Sequence, residues 1–178
     1  MTHPSEGSDP RAARTRSDIR AAFVNLLFSR RYEQIQIAEI SQAAGVGRST
    51  FYAHFRSKED VLLEVIDPVL LTVANSITGR VSKAQLRSTL SHLWDQRSTC
   101  RAIFVSGARR KIVRRLSQLV QCRMQTKNDA APPALAASAA ASGHITMLHM
   151  WTSGEVSCTA DALAHEMMLV GSALSRGR

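Results

Sequence analysis

Between Ile37 and Phe55 the chain reads IAEISQAAGVGRSTFYAHF, two short amphipathic runs parted by a glycine, and this stretch limits the rest of the fold. Ile37, Ile40 and Ala44 recur at three and four residues, the spacing that stacks apolar side chains on one helical face. Gly45 stands where that helix must stop, and glycine reaches the left-handed conformation of a helix C-terminus without a Cβ clash. From Gly47 a second helix is predicted, with Phe51 and Phe55 facing a core and Arg48, Ser49, Thr50, Tyr52 and His54 facing out. The pattern is a helix-turn-helix. Helices of two turns are marginal alone, so a longer helix must back them. The apolar stripe Ile19, Ala22, Phe23, Leu26 and Leu27 supplies one, predicted over Thr15–Ser29.

The outward set of the second helix is entirely hydrogen-bonding, and no acid occurs between Ala43 and Arg56. Such a helix suits the major groove of B-DNA, which admits one helix and presents base edges to short polar side chains. Arg48 has the fork that pairs with a guanine edge, and Ser49 and Thr50 are short enough for close approach to a base or a thymine methyl. These three are the candidates for specifying sequence.

The segment Arg14–Asp67 resembles the DNA-binding domain of the TetR family of transcriptional regulators. The resemblance is carried by Gly45-Val46, by Thr50-Phe51-Tyr52-Ala53-His54-Phe55, by Ser57-Lys58-Glu59 and by the apolar Val61-Leu62. It implies an all-α fold: an N-terminal three-helix, homeodomain-like helix-turn-helix domain, followed by a C-terminal helical ligand-binding and dimerisation domain. The expected boundaries are 1–13 for a disordered basic arm, 14–58 for the DNA-binding domain and 59–178 for the helical body. By the same resemblance Tyr52 and His54 touch the sugar-phosphate backbone and Lys58 contacts a phosphate. The alternatives are half-buried packing for Tyr52 and His54 and a solvated charge for Lys58. Gln36 departs from the family, which carries Thr or Ser at this N-cap; glutamine caps less well, so the helix frays there or finds another partner. Gln36 completes the expected DNA-facing set.

The formal net charge is +9, from 23 Lys and Arg against 14 Asp and Glu. A basic surface attracts polyanions, an attraction that gains meaning only beside a motif. Arg11, Arg14 and Arg16 precede the first helix, as an arm for phosphate or the minor groove or as a solvated tail. Three cysteines at wide spacing indicate neither a disulfide framework nor a metal site, and no stretch of 18 apolar residues occurs. The N-terminus lacks a secretory signal, and a cytoplasmic protein is expected.

Ser57 and Asp60 form a capping-box-like pair that starts a helix, and Pro68 predicts a kink or break around Glu64–Pro68. Further helices are predicted over Lys83–Arg97, Thr99–Gly107, Arg109–Gln125 and Ala160–Ser175, with a loop at Asn128–Pro133 and a small-residue helix after it. Nine basic residues and no acid fall between Arg97 and Lys127, a block suited to a solvated face, a DNA backbone or an anionic effector. Trp94, Phe104, Met147, His144, His149 and Trp151 are available to line an effector pocket. The resemblance further implies a homodimer paired through the last two helices, a double-stranded (pseudo)palindromic operator and a small-molecule effector that releases it. No cofactor, metal or membrane partner is expected. No HExxH, nucleophile elbow, phosphate-binding glycine loop or carboxylate pair beside a histidine is present, so a catalyst is not indicated. The alternative is a helical protein-interaction module with only non-specific DNA affinity.

Overall fold

The computed structural model describes residues 10–124 and 133–176. Helices occur among them at Pro10–Ser29 (α1), Ile37–Ala43 (α2), Arg48–His54 (α3), Lys58–Ile77 (α4), Lys83–Asp95 (α5), Arg97–Val105 (α6), Arg109–Gln121 (α7), Pro133–Ser153 (α8) and Ala160–Arg176 (α9), with no strand among the described residues. The chain forms two compact units, Met1–Val65 and Ile66–Arg178.

In the first unit, α1 lays Ile19, Ala22, Phe23 and Leu27 against α2 and α3, and Ile40, Phe51 and Phe55 close the core from the other side. The turn between α2 and α3 forms as the glycine dictates. Gly45 has φ +66°, and Val46 donates back to Ser41 O at 2.9 Å, closing the helix end. Gln36 caps α2 through a neighbour: its backbone N–H donates to Glu39 Oε2 at 2.9 Å, which satisfies a donor that a hydroxyl cap leaves open. Ser57 Oγ accepts from Asp60 N at 3.3 Å at the start of α4.

Two expectations change here. The first helix begins at Pro10 rather than Thr15, so Arg11, Arg14 and Arg16 ride on α1 and not on an arm. Proline is at home in a first turn, where its missing N–H is not needed. The first nine residues of the expected arm lie outside the described residues. Nor does α4 break: it is helical through Pro68 to Ile77. The helix tolerates the proline because apolar side chains on both sides of it, Val61 and Leu62 before and Leu70 and Val73 after, are buried.

The second unit is built from helix pairs, α7 and α6 on α8, and α5 and α8 on α9. Ser82 caps α5 by accepting from Gln85 N at 3.2 Å, and Thr159 caps α9 by accepting from Ala162 N at 3.1 Å. Alanines 137, 140 and 141 let α8 be approached closely, and all three are buried. Helix α7 ends at Gln121 rather than Gln125, and Pro133 opens α8 rather than closing a loop, while the rest of the predicted loop lies on 128–132, outside the described residues. Trp151, Phe104 and His144, available to a pocket wall or to the core, are interior side chains at 2%, 7% and 0% exposure. Trp94 stacks on Trp151 with ring centroids 4.7 Å apart. The cysteines are free thiols, and burial pushes Cys100 up to about 11, away from the reactive thiolate form.

His144 ties α8 to α9. Its Nδ1 lies 2.8 Å from Ala140 O and its Nε2 3.0 Å from Met167 O, although a neutral ring donates to only one of them. Burial is the larger influence and lowers its pKa; the two carbonyls act in the opposite direction. A pKa depressed in the folded state gives stability that is complete above the unfolded value, about 6.5, and is lost as pH falls through the folded value. Thermal melts from about pH 7 to about pH 5 should therefore fall more steeply for the wild type than for His144→Gln. Parallel curves would show that this histidine does not titrate against folding.

Candidate nucleic-acid interface

The candidate recognition surface is the outer side of α3. Phe51, with no exposed surface, and Phe55, at 3%, root the helix in the core, their ring centroids 6.0 Å apart. That rooting leaves Arg48, Ser49 and Thr50 exposed on the first turn, and Tyr52 is 55% exposed one turn beyond Arg48. Tyr52 stands edge-on to Phe51 at 5.6 Å, so its ring is propped from beneath while its hydroxyl faces solvent. No acid lies in the first turn of α3. His54 is half-buried at the C-terminal end, and Gln36 is exposed at the start of α2. Four of the seven anticipated residues, Arg48, Ser49, Thr50 and Tyr52, therefore share one exposed patch.

Lys58 is placed differently from the expectation of a free phosphate contact. Its Nζ donates to the carbonyls of Tyr32 at 2.9 Å, Glu33 at 3.2 Å and Ile35 at 2.9 Å, and it sits 4.7 Å from the centroid of the Tyr32 ring. An ammonium has three N–H donors, and here all three are committed. Lys58 thus binds the short 3-10 turn Tyr32–Gln34 to the start of α4. Tyr32 is itself core: it is 3% exposed, meets Phe23 edge-on at 6.5 Å, and donates from its hydroxyl to Glu59 Oε1 at 3.2 Å.

Arg16 also supports the surface without joining it. Its guanidinium donates from Nε to Glu64 Oε2 at 2.8 Å and lies 4.6 Å above the Phe55 ring, at the end of the recognition helix. Arg20 adds a second ion pair to Glu64 at 3.2 Å. Arg16 and Glu64 are 48 residues apart, so no local pattern announces the pair. By composition the unit is nearly neutral. Met1–Val65 carries nine Lys and Arg against eight Asp and Glu, whereas Ile66–Arg178 carries fourteen against six. The basicity of the chain therefore resides outside the recognition unit, and what α3 offers is local chemistry.

The profile described as "Bacterial regulatory proteins, tetR family" matches residues 19–65, the segment that holds α2, α3 and the buried face of α1. An HTH-type transcriptional regulator, EthR of Mycolicibacterium smegmatis, is 37% identical over 78 residues, covering 39% of this chain and 36% of the relative. The uncharacterised HTH-type transcriptional regulator YwcC of Bacillus subtilis is 46% identical over 46 residues, 26% of this chain and 21% of that one. The chain thus spans about a third or less of the length of these curated relatives. Over the whole fold it is similar to a TetR transcriptional regulator from Streptococcus agalactiae, with a TM-score of 0.56, 24% identity and coverage of 90% of this chain and 95% of the other. It is similar also to Thermus thermophilus FadR, a TetR-family repressor solved with lauroyl-CoA, with a TM-score of 0.59, 14% identity and coverage of 88% and 93%.

Proposed function

Since residues 19–65 match the tetR family of bacterial regulatory proteins, we propose that this chain is a member of it: a cytoplasmic, sequence-specific repressor that binds a (pseudo)palindromic operator as a homodimer and leaves it when a small molecule binds. The observation that carries this reading is the exposed patch of Arg48, Ser49, Thr50 and Tyr52 on a helix whose opposite face is buried. Arg48, Ser49 and Thr50 read base edges; Tyr52, His54 and Gln36 meet the backbone and set the register. Lys58 acts beneath them as a positioning residue, holding the turn ahead of α2. Two such patches related by a two-fold axis demand half-sites about one helical turn or more apart. The pairing surface is α8 and α9, where Leu135, Leu169 and Val170 are 64%, 49% and 37% exposed. The protein acts by binding and not by catalysis. No group of three or more metal-ligating side chains occurs among the described residues, and no helix among them is long and apolar enough to cross a membrane.

Effector release needs only differential affinity: a ligand that prefers a conformation unable to seat both recognition helices empties the operator. Selection of random duplexes by the purified protein near physiological salt tests the reading. An inverted repeat should emerge. Arg48→Ala should then relax one base position at a cost of about 1–3 kcal/mol, while Tyr52→Ala should weaken all sites alike. Recovery of no repeat, with binding that merely fades with salt, would replace the repressor by a protein-interaction module.

A further inference from the structure

Resting on the reading of Ile66–Arg178 as an effector domain, we propose that its effector is anionic and that a phosphate or carboxylate group seats in the concavity at the start of α7. That concavity has a volume of about 480 Å³ and is lined by Ser106, Gly107, Arg109, Arg110 and Val113.

The charge of the unit is the first reason. From Arg97 to Arg123 there are eight Lys and Arg and no acid. Several of these arginines have structural partners. Arg115 makes a two-pronged pair with Asp67 at 2.7 and 2.9 Å, Arg123 donates to Asn75 Oδ1 at 2.8 Å, and Arg97 stacks on Trp94 at 5.1 Å. Arg110 and Arg114 are exposed, one turn apart on α7, and neither meets an acidic side chain among the described residues. Like charges at this spacing repel. Arg109 and Arg110 also stand in the first turn of α7, which contains no acid, although cations are disfavoured at the positive end of a helix dipole. An anion in the concavity would meet the two guanidinium groups that line it, Arg109 and Arg110.

The geometry is the second reason. Arg109 is pinned: its guanidinium donates to Thr146 Oγ1 on α8 at 3.0 Å, which fixes it at the wall of the concavity. Arg110, which has no acidic partner among the described residues, can fold over a guest. The Ser106 hydroxyl is already committed, donating to Ile103 O at 2.7 Å and accepting from Ala108 N at 3.2 Å, so it shapes the turn rather than binds. Val113 offers an apolar surface beside the two guanidinium groups. The site therefore fits a small anion with a hydrocarbon portion, held by charge-assisted hydrogen bonds.

The test uses the full chain and two probes, sodium pyrophosphate and citrate, titrated at constant ionic strength while the melting temperature is followed. A saturable rise is expected with at least one probe, and the better one identifies phosphate or carboxylate. Arg110→Gln should weaken the half-maximal response about tenfold, the loss expected for one charged hydrogen bond, while Arg87→Gln, an equal change of charge on α5, should leave it in place. A response linear in concentration, or one that both variants share with the wild type, would overturn the proposal. Binding of heparin with no saturable response to either small anion would overturn it too, and would give the surface to a polyanion. Operator selection, run in parallel without added anions, separates the two readings. If the wild type recovers no repeat yet still binds pyrophosphate or citrate saturably, the repressor reading fails and the anion site stands; if it recovers the repeat without such binding, the reverse holds.

Discussion

Phe51→Ala should abolish operator binding by dissolving the recognition helix, whereas Arg48→Ala should leave that helix intact. Phe51 is fully enclosed and touches the rings of Tyr52 and Phe55 on its own helix. Truncating a buried phenylalanine costs about 3–5 kcal/mol through lost transfer energy and the cavity left behind. A domain of this size has only a few kcal/mol of net stability, about 0.05–0.15 kcal/mol per residue, so the loss is comparable with the whole. The seven residues of α3 cannot persist as an isolated helix. Hydrogen exchange resolved by unit checks this: amides of Arg48–Phe55 should lose protection in Phe51→Ala while those of α8 keep theirs. Undiminished protection and binding would mean that α3 is held by something other than its aromatic root.

Gly171→Ala should lower the melting temperature of the second unit, against the usual effect of such a change in a helix. Alanine is favoured over glycine in a helix interior by about 0.8–1 kcal/mol, so the substitution ordinarily stabilises. Here a Cβ would stand 2.7 Å from Ile77 Cα and 3.1 Å from Ile77 O, so α9 passes directly against the backbone of α4. Backbone cannot rotate away, and forcing an extra methyl into a filled contact costs about 1–3 kcal/mol. The clash outweighs the propensity, and at about 2–4 °C per kcal/mol the net loss is a few degrees. Trimming the neighbouring side chain in an Ile77→Val background should not rescue it, because the obstruction is main chain. A variant as stable as the wild type would show that α4 and α9 separate at little cost.

What could be read from the linear chain follows from the range of the interaction. Gly45 and Ser57 act on groups within four residues, and each does in the structure what its chemistry indicates. The buried faces of α1 and α3 were equally legible, because a helix repeats its pattern every three or four residues. Three things were not. Lys58 looks like any exposed cation until the Tyr32–Gln34 turn is folded beneath it, and its three acceptors lie 23 to 26 residues away. Arg16 belongs with Glu64 and Phe55 only once α1 and α4 are side by side. His144 and Trp151 have the polarity and breadth of pocket residues, and nothing local shows that α9 closes over the first while the second donates to Cys158 O at 2.9 Å. The start of α1 escaped for a different reason: Pro10 reads as a breaker by composition, although at a helix start it favours the helix.

The near-neutrality of the recognition unit bears on how such a protein finds its target in a genome. Sequence-independent affinity comes from cations replacing the counterions of the phosphate backbone, and each engaged cation steepens the loss of binding with salt. In Met1–Val65 several arginines are already engaged internally, Arg16 and Arg20 with Glu64 and Arg30 with Glu39. Fewer remain to grip arbitrary sequence. The unit's own contribution to background binding is therefore small, and competition from the vast excess of non-target DNA weighs less on it. For the operator-binding dimer proposed above, occupancy is then expected to follow the quality of the match more than the bulk of DNA around it.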